Sequence, residues 1–165
     1  MKVTVTTIKR GVDETMAADL MHHKMSSLII QDIEPLYFPY YLLTVGVNTR
    51  LLAHKISANL ACMIDLVEGA EAMTTVAMEL VEMELSESLM LPRDYDLEAA
   101  RAKGLETVRH HLVQNTKVMN VPKVTVEEEQ VVYKPFWVIS CLGLKKETFS
   151  VLMDGVTGEY QLLHV

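Results

Sequence analysis

Cysteine is scarce in this sequence, with only Cys62 and Cys141 among 165 residues. Two cysteines are too few for the disulfide framework that holds small secreted domains together. We therefore expect two reduced thiols in the core of a cytoplasmic protein, with a single bridge as the alternative if the chain is exported. Neither cysteine lies in a local motif that would activate it as a nucleophile.

Positive charge is also in short supply. The chain has 15 lysines and arginines against 22 aspartates and glutamates, which gives a formal net charge of −7. Because no basic stripe is present, binding of nucleic acid through phosphate neutralisation is disfavoured. No apolar run approaches the roughly 20 residues of a membrane-spanning helix, and residues 1–10 lack the apolar run of a secretory signal. We expect no membrane span.

Motifs of known chemistry are missing as well. The sequence contains no phosphate-binding loop, dinucleotide fingerprint or nucleophile elbow. Histidines occur as the adjacent pairs 22–23 and 110–111, and adjacent residues on a helix do not share a face. We therefore expect no metal site, no cofactor and no enzymatic activity.

Two stretches of the chain, at residues 36–69 and 131–158, match each other. Each opens with aromatic residues around a proline, passes a polar gap, and ends in a strand-like stretch followed by Asp65 or Asp154 and a glycine turn. Aromatic and β-branched residues in alternation are typical of strands. Each stretch predicts a short antiparallel meander, and the two aspartates are explained as turn residues rather than as a catalytic pair.

Two helices are predicted ahead of these stretches. Residues 13–30 and 94–117 carry apolar residues at spacings of three and four, and Asp13 and Asp96 are the expected N-caps. Residues 71–85 fit a strand or a helix face, and their alternation with glutamates favours the strand.

The expected fold class is α+β, with two pseudo-repeats that each pack one helix on a three- to four-stranded antiparallel sheet. The first repeat is expected at 1–90 and the second at 91–165, packed together as one compact unit. Residues 2–8 predict a strand or an ordered arm.

The second repeat resembles a known family. Its helix at 97–112, its strand from Trp137 and the sequence DGVTGE at 154–159 are similar to PepSY and PepSY-like domains. The first repeat is the weaker match and keeps Asp65 and Gly69. The resemblance implies a non-catalytic binding or inhibitory module of a kind often associated with peptidases, usually outside the cytoplasm.

Aromatic side chains of the two matching strands are the best candidates for a contact surface, because such residues dominate interface energetics. The competing interpretation is that they form a core shared by the repeats. An open edge strand could add a peptide or pair with a second copy of the chain. The alternative function is a small-ligand-binding protein or enzyme with a pocket between the repeats. The candidate interface residues are Tyr37, Tyr40, Tyr41, Tyr133, Phe136 and Trp137.

Overall fold

The computed structural model describes residues 1–51, 54–74, 78–115 and 123–163. A short 3-10 turn, Glu87–Leu89, precedes the second helix. Neither helix of the described chain has the length and apolar character to cross a membrane. The strands and helices are β1 (Lys2–Ile8), α1 (Glu14–Lys24), β2 (Ile29–Leu51), β3 (His54–Asp65), β4 (Glu71–Thr74), β5 (Leu80–Ser86), α2 (Leu97–Asn115), β6 (Lys123–Leu142), β7 (Thr148–Asp154) and β8 (Tyr160–Leu163).

All these strands belong to one eight-stranded mixed sheet. Its order is β4-β3-β2-β6-β1-β5, and β7 pairs with β6 and carries β8 on its other side. The pairs within each meander are antiparallel, whereas β1 runs parallel to β6. The expected fold class, two pseudo-repeats that each pack one helix on a three- to four-stranded antiparallel sheet, is therefore wrong. The reason is that β2 and β6 are neighbours in the sheet, so strands from both halves of the chain join one hydrogen-bonded structure.

The two long strands extend well beyond the stretches that predicted them. Strand β2 has 23 residues and includes residues 29–35, which the sequence assigned to the end of a helix and to a break. Helix α1 ends at Lys24, earlier than predicted. The β-branched residues Ile29 and Ile30 further along the chain favour a strand. Strand β6 has 20 residues and begins at Lys123, because valines 124 and 126 alternate with exposed polar residues.

Other local predictions are confirmed. The Oδ1 atom of Asp13 accepts a hydrogen bond from the Met16 N–H at 2.8 Å, and an oxygen of Asp96 accepts one from the Ala99 N–H at 3.0 Å, so both are N-caps. The alternation with glutamates does mark a strand, β5, and residues 2–8 form β1. Residues 75–77, between β4 and β5, lie outside the described chain.

Contacts in space group the chain into two units. Unit 1 comprises Met1–Phe38, Met78–Leu91 and Tyr133–Val165, and unit 2 comprises Pro39–Ala77 and Pro92–Val132. These groups describe spatial contacts and do not test a duplication with its boundary near residue 90, which stays a prediction.

The core of unit 1 lies between α1 and the β6–β7 strands. Ala17 and Met21 of α1 are fully buried and belong to one apolar cluster with Trp137, Ile139 and Met153. The helix of the first expected repeat therefore packs on the meander of the second.

The core of unit 2 lies between α2 and the β2–β3 strands. Ala100 and Val108 of α2 cluster with Leu43, Ile64 and Leu66. Each helix thus covers the meander that the sequence analysis had assigned to the other helix, because an apolar stripe does not specify which sheet face it meets.

The two cysteines lie in different cores. Cys62 belongs to the unit 2 cluster and Cys141 to the unit 1 cluster, and both are free and buried. The prediction of two unbridged core thiols is confirmed. Burial raises the pKa of Cys62 to about 11 and also raises the pKa of Cys141, so both thiols are held in the unreactive protonated form.

The two aspartates close their turns in the same way. Asp65 Oδ1 accepts a hydrogen bond at 2.7 Å from the N–H two residues further on, and Asp154 Oδ1 does so at 2.8 Å. Gly69 and Gly158 end the turns with φ values of 84° and 83°, a conformation that glycine adopts without steric cost. Their interpretation as turn residues is confirmed.

Candidate functional site

Four of the six candidate interface residues are buried. Tyr37, Tyr41, Tyr133 and Trp137 each expose less than a tenth of their surface, between 4% and 8%. Tyr40 and Phe136 are half-buried and are the members of the set with appreciable surface in this structure. Tyr41 belongs to the core of unit 2 and Trp137 to the core of unit 1, and the role of the set as an interface stays a prediction.

Tyr37 and Trp137 hold an arginine in unit 1. The Arg10 guanidinium lies 3.9 Å from the Trp137 ring centroid, and its Nη2 donates a hydrogen bond to the Tyr37 hydroxyl at 2.8 Å. The indole N–H donates to the Val12 carbonyl at 2.8 Å. These contacts anchor the segment before α1 to the core, which is a structural role.

Tyr41 takes part in a polar cluster of unit 2. Its hydroxyl donates a hydrogen bond to Glu129, and Arg101 Nε donates to the same carboxylate at 3.0 Å. These two donors lower the pKa of Glu129, whereas burial, followed by the Glu129 contact, raises the pKa of Tyr41. Through these contacts the cluster joins β2, α2 and β6.

Phe136 borders an open groove in unit 1. Its ring centroid lies 4.5 Å from that of Phe38, with the rings tilted by 41°. Lys134 Nζ lies 5.3 Å from the Phe136 centroid and 2.7 Å from Asp154 Oδ2. The groove has a volume of about 220 Å³ and is lined by Phe136, Leu152, Asp154, Glu159, Tyr160 and Gln161.

The strand register explains five of the six lining residues, all but Tyr160. Phe136 pairs with Asp154, and the Asp154 N–H donates to the Glu159 carbonyl at 2.7 Å, so Phe136, Asp154 and Glu159 form one row across three chain segments. Leu152 pairs with Gln161 in a second row on the same face. Met153 lies in the core under α1, so the groove is on the sheet face away from α1.

One side of the groove is a sheet edge. Among the described strands, β8 pairs only with β7. Because Asp154 and Glu159 form a hydrogen-bonded pair, the antiparallel alternation turns the N–H and C=O groups of Tyr160 and Leu162 away from β7. These two side chains are 39% and 53% exposed. The outer edge of β8 therefore offers backbone donors and acceptors together with apolar surface.

Two further edges among the described strands, β5 and β4, are less suited to pairing. In β5, glutamates 82 and 84 are exposed, and charge along an edge opposes the addition of a strand. In β4, Glu71 is already engaged by Lys103 Nζ at 3.0 Å. Strand β8 has no charged residue within its four positions.

A second groove of unit 1 has a volume of about 480 Å³, and the described residues of its lining include no acidic or basic side chain. It is lined by Gln31, Ser140, Cys141, Thr148, Phe149, Ser150 and Leu163. The Cys141 thiol is the ionisable side chain in that lining, and its pKa is raised. In the described part of the chain, no three histidine, cysteine or acidic side chains come together as metal ligands would.

The sequence did not indicate Glu159, Gln161 and Leu162 as candidate site residues. It predicted a closing strand after the Gly158 turn, but it assigned the contact surface to the aromatic strands. Which strand lies at an edge depends on the pairing of the whole sheet, and the four letters YQLL carry no such signal.

No family model, curated protein or solved structure matches this chain. The PepSY-like resemblance of residues 97–159 is not tested by these comparisons and stays a prediction.

Proposed function

We propose that this protein is a non-catalytic module that binds an extended peptide segment of a partner protein along the open edge of β8. The observation that supports the proposal is the outward orientation of the Tyr160 and Leu162 backbone groups, which follows from the Asp154–Glu159 hydrogen bond. A peptide that pairs with them would continue the sheet by one strand.

The side chains of the edge favour the same ligand. Tyr160 pairs with Met153 and Leu162 with Val151, and both partners are fully buried under α1. The apolar core face thus continues to the edge and ends at two partly exposed side chains. Apolar side chains of an added strand would cover them, at about 25 cal/mol per Å² of apolar surface removed from water.

A partner protein fits the edge better than a second copy of this chain. The chain carries a formal net charge of −7, and Glu159 stands at the start of β8. Each of two copies would carry this net negative charge, which opposes their association at low salt. The sequence predicted Phe136 as an interface residue. In this proposal Phe136 lines the groove beside the β8 edge.

Leu162→Pro tests the proposal. Proline removes the outward N–H of residue 162 and leaves the β7–β8 ladder intact. We expect peptides selected from a random peptide library displayed on phage against the parent protein to lose binding to this variant. Leu162→Ala, which keeps the N–H, is the matched control and should retain binding at reduced affinity.

Circular dichroism and a thermal melt check that both variants fold. A folded Leu162→Pro protein that binds every selected peptide as the parent does would contradict the proposal, because the edge of β8 would then not be the contact. Peptide binding measured by fluorescence anisotropy provides the comparison.

A further inference from the structure

We propose that the peptide at β8 carries a basic side chain, best an arginine, at the position beside Glu159, and apolar side chains beside Tyr160 and Leu162. This inference rests on the proposed function and adds the chemistry of the ligand.

Among the described residues, Glu159 is the charged side chain of the groove lining that forms no ion pair. Asp154 is already satisfied, since Oδ1 accepts from its own turn and Oδ2 lies 2.7 Å from Lys134 Nζ. Among the ion pairs of the described residues, none includes the exposed Glu159. The lysine and aspartate charges cancel, so the groove keeps one net negative charge, that of Glu159.

The turn fixes where this carboxylate sits. The Glu159 N–H donates to Thr157 Oγ1 at 3.2 Å, and the Glu159 carbonyl accepts from the Asp154 N–H at 2.7 Å. Both backbone groups of Glu159 are therefore held within the turn, and its side chain starts from a fixed point one residue before β8.

An aromatic ring lies in the same row. Phe136 is opposite Asp154 across β6 and β7, on the groove side together with Glu159. The ring already lies 5.3 Å from one cation, Lys134 Nζ. Such a site favours a guanidinium over an ammonium. A guanidinium pairs with a carboxylate through two N–H groups and also stacks on aromatic rings.

The alternation of side chains specifies the rest of the ligand. Glu159 and Gln161 point to the groove face, whereas Tyr160 and Leu162 point to the α1 face, since their partners Met153 and Val151 belong to that core. An added strand shares this alternation. The ligand therefore has its basic residue and a polar residue on one face, and two apolar residues on the other.

Charge also favours the encounter. The net charge of −7 attracts a basic peptide over distances of about a Debye length, roughly 10 Å at 0.1 M salt. Affinity for such a peptide should fall as the salt concentration rises.

The test uses the full chain and four labelled peptides. In one-letter code, GGTVTVRG places arginine beside Glu159 in an antiparallel added strand, and GRVTVTGG does so in a parallel one; the other two peptides carry glutamine in place of arginine. We expect the arginine peptide to bind about threefold more tightly than its glutamine partner in one of the two chain directions, the size of an exposed ion pair. Glu159→Gln should remove this preference.

Two control variants separate the outcomes. Glu147→Gln removes a similar exposed charge from the β6–β7 loop and should leave the preference for arginine unchanged. Leu162→Pro should abolish the binding of all four peptides.

Loss of binding in Leu162→Pro, with equal affinity for the arginine and glutamine peptides in both directions, would overturn this inference and leave the proposed function standing. Unchanged binding in Leu162→Pro would overturn both. An arginine preference that survives in Glu159→Gln would also overturn the inference, because another group would then be its source.

Discussion

Thr157 shows how one side chain can distinguish two otherwise matching turns. Both turns have an aspartate that accepts from the N–H groups two and three residues further on. In the second turn Thr157 Oγ1 also accepts from the Glu159 N–H, whereas the first turn has Glu68 at that position. Thr157, part of the DGVTGE sequence, thus fixes the backbone of the proposed site.

Gly69→Ala should destabilise the protein by about 2 kcal/mol or more. The residue has φ of 84°, which costs an L-residue about 1–2 kcal/mol, and an added Cβ would clash with the Tyr95 ring, which adds an overpacking cost of about 1–3 kcal/mol. Urea unfolding followed by circular dichroism measures the change.

Gly143→Ala is the matched control. Its φ is not in the left-handed region, and its added Cβ would meet the carboxylate end of the Glu147 side chain, which can move aside. We expect a change within about 0.5 kcal/mol. Equal losses for the two variants would show that conformation and ring contact at Gly69 do not matter.

At the scale of elements, the sequence predicted local pairings well and their assembly poorly. The alternation of Trp137 and Ile139 with their neighbours identified β6, and the DGVTGE turn identified the β7–β8 hairpin, because both signals lie within a few residues. The apolar stripe that contains Met21 identified α1 but not its partner, since any apolar sheet face satisfies such a stripe.

The candidate site was predictable only in part, for the same reason. Phe136 was found by its residue type. The other five candidate interface residues were also assigned correctly to strands, but four of them are buried. The edge position of Leu162 depends on which strands flank β6 and β7 in the complete sheet, and that is information from distant parts of the chain.

The Glu129 cluster, which links α2 to two strands of unit 2, predicts an acid-dependent stability. The folded-state pKa of Glu129 is lowered, chiefly by the Tyr41 hydroxyl and then by Arg101. Its contribution is therefore fully present above the unfolded-state pKa of about 4.3 and is lost as the pH falls through the lower folded-state value. We expect Glu129→Gln to be less stable than the parent at pH 6, and the difference to shrink towards pH 3.

Urea midpoints at pH 6, 5, 4 and 3 measure this effect. Glu128→Gln is the control, because Glu128 is exposed and forms none of the ion pairs of the described residues. A stability difference for Glu129→Gln that stays constant over the whole pH range would argue against the cluster.

At the scale of the whole molecule, the chain crosses between its two units several times. Unit 1 takes three separate stretches of chain and unit 2 takes two, and the long strands β2 and β6 each contribute residues to both. Forming the two units therefore requires contacts between residues far apart in sequence. We expect the protein to fold more slowly than a helical protein of this length.

The two buried cysteines allow the two cores to be probed separately. Cys62 shares its core with Val108 of α2, and Cys141 shares its core with Met21 of α1. A buried thiol reacts only when its surroundings open. We expect Val108→Ala to accelerate the labelling of Cys62 about tenfold or more, the effect of a cavity worth roughly 2 kcal/mol, and to affect Cys141 much less. Met21→Ala should do the reverse. Mass spectrometry after alkylation at pH 8 identifies the labelled thiol, and equal acceleration of both thiols by each substitution would contradict the assignment of each helix to its own core.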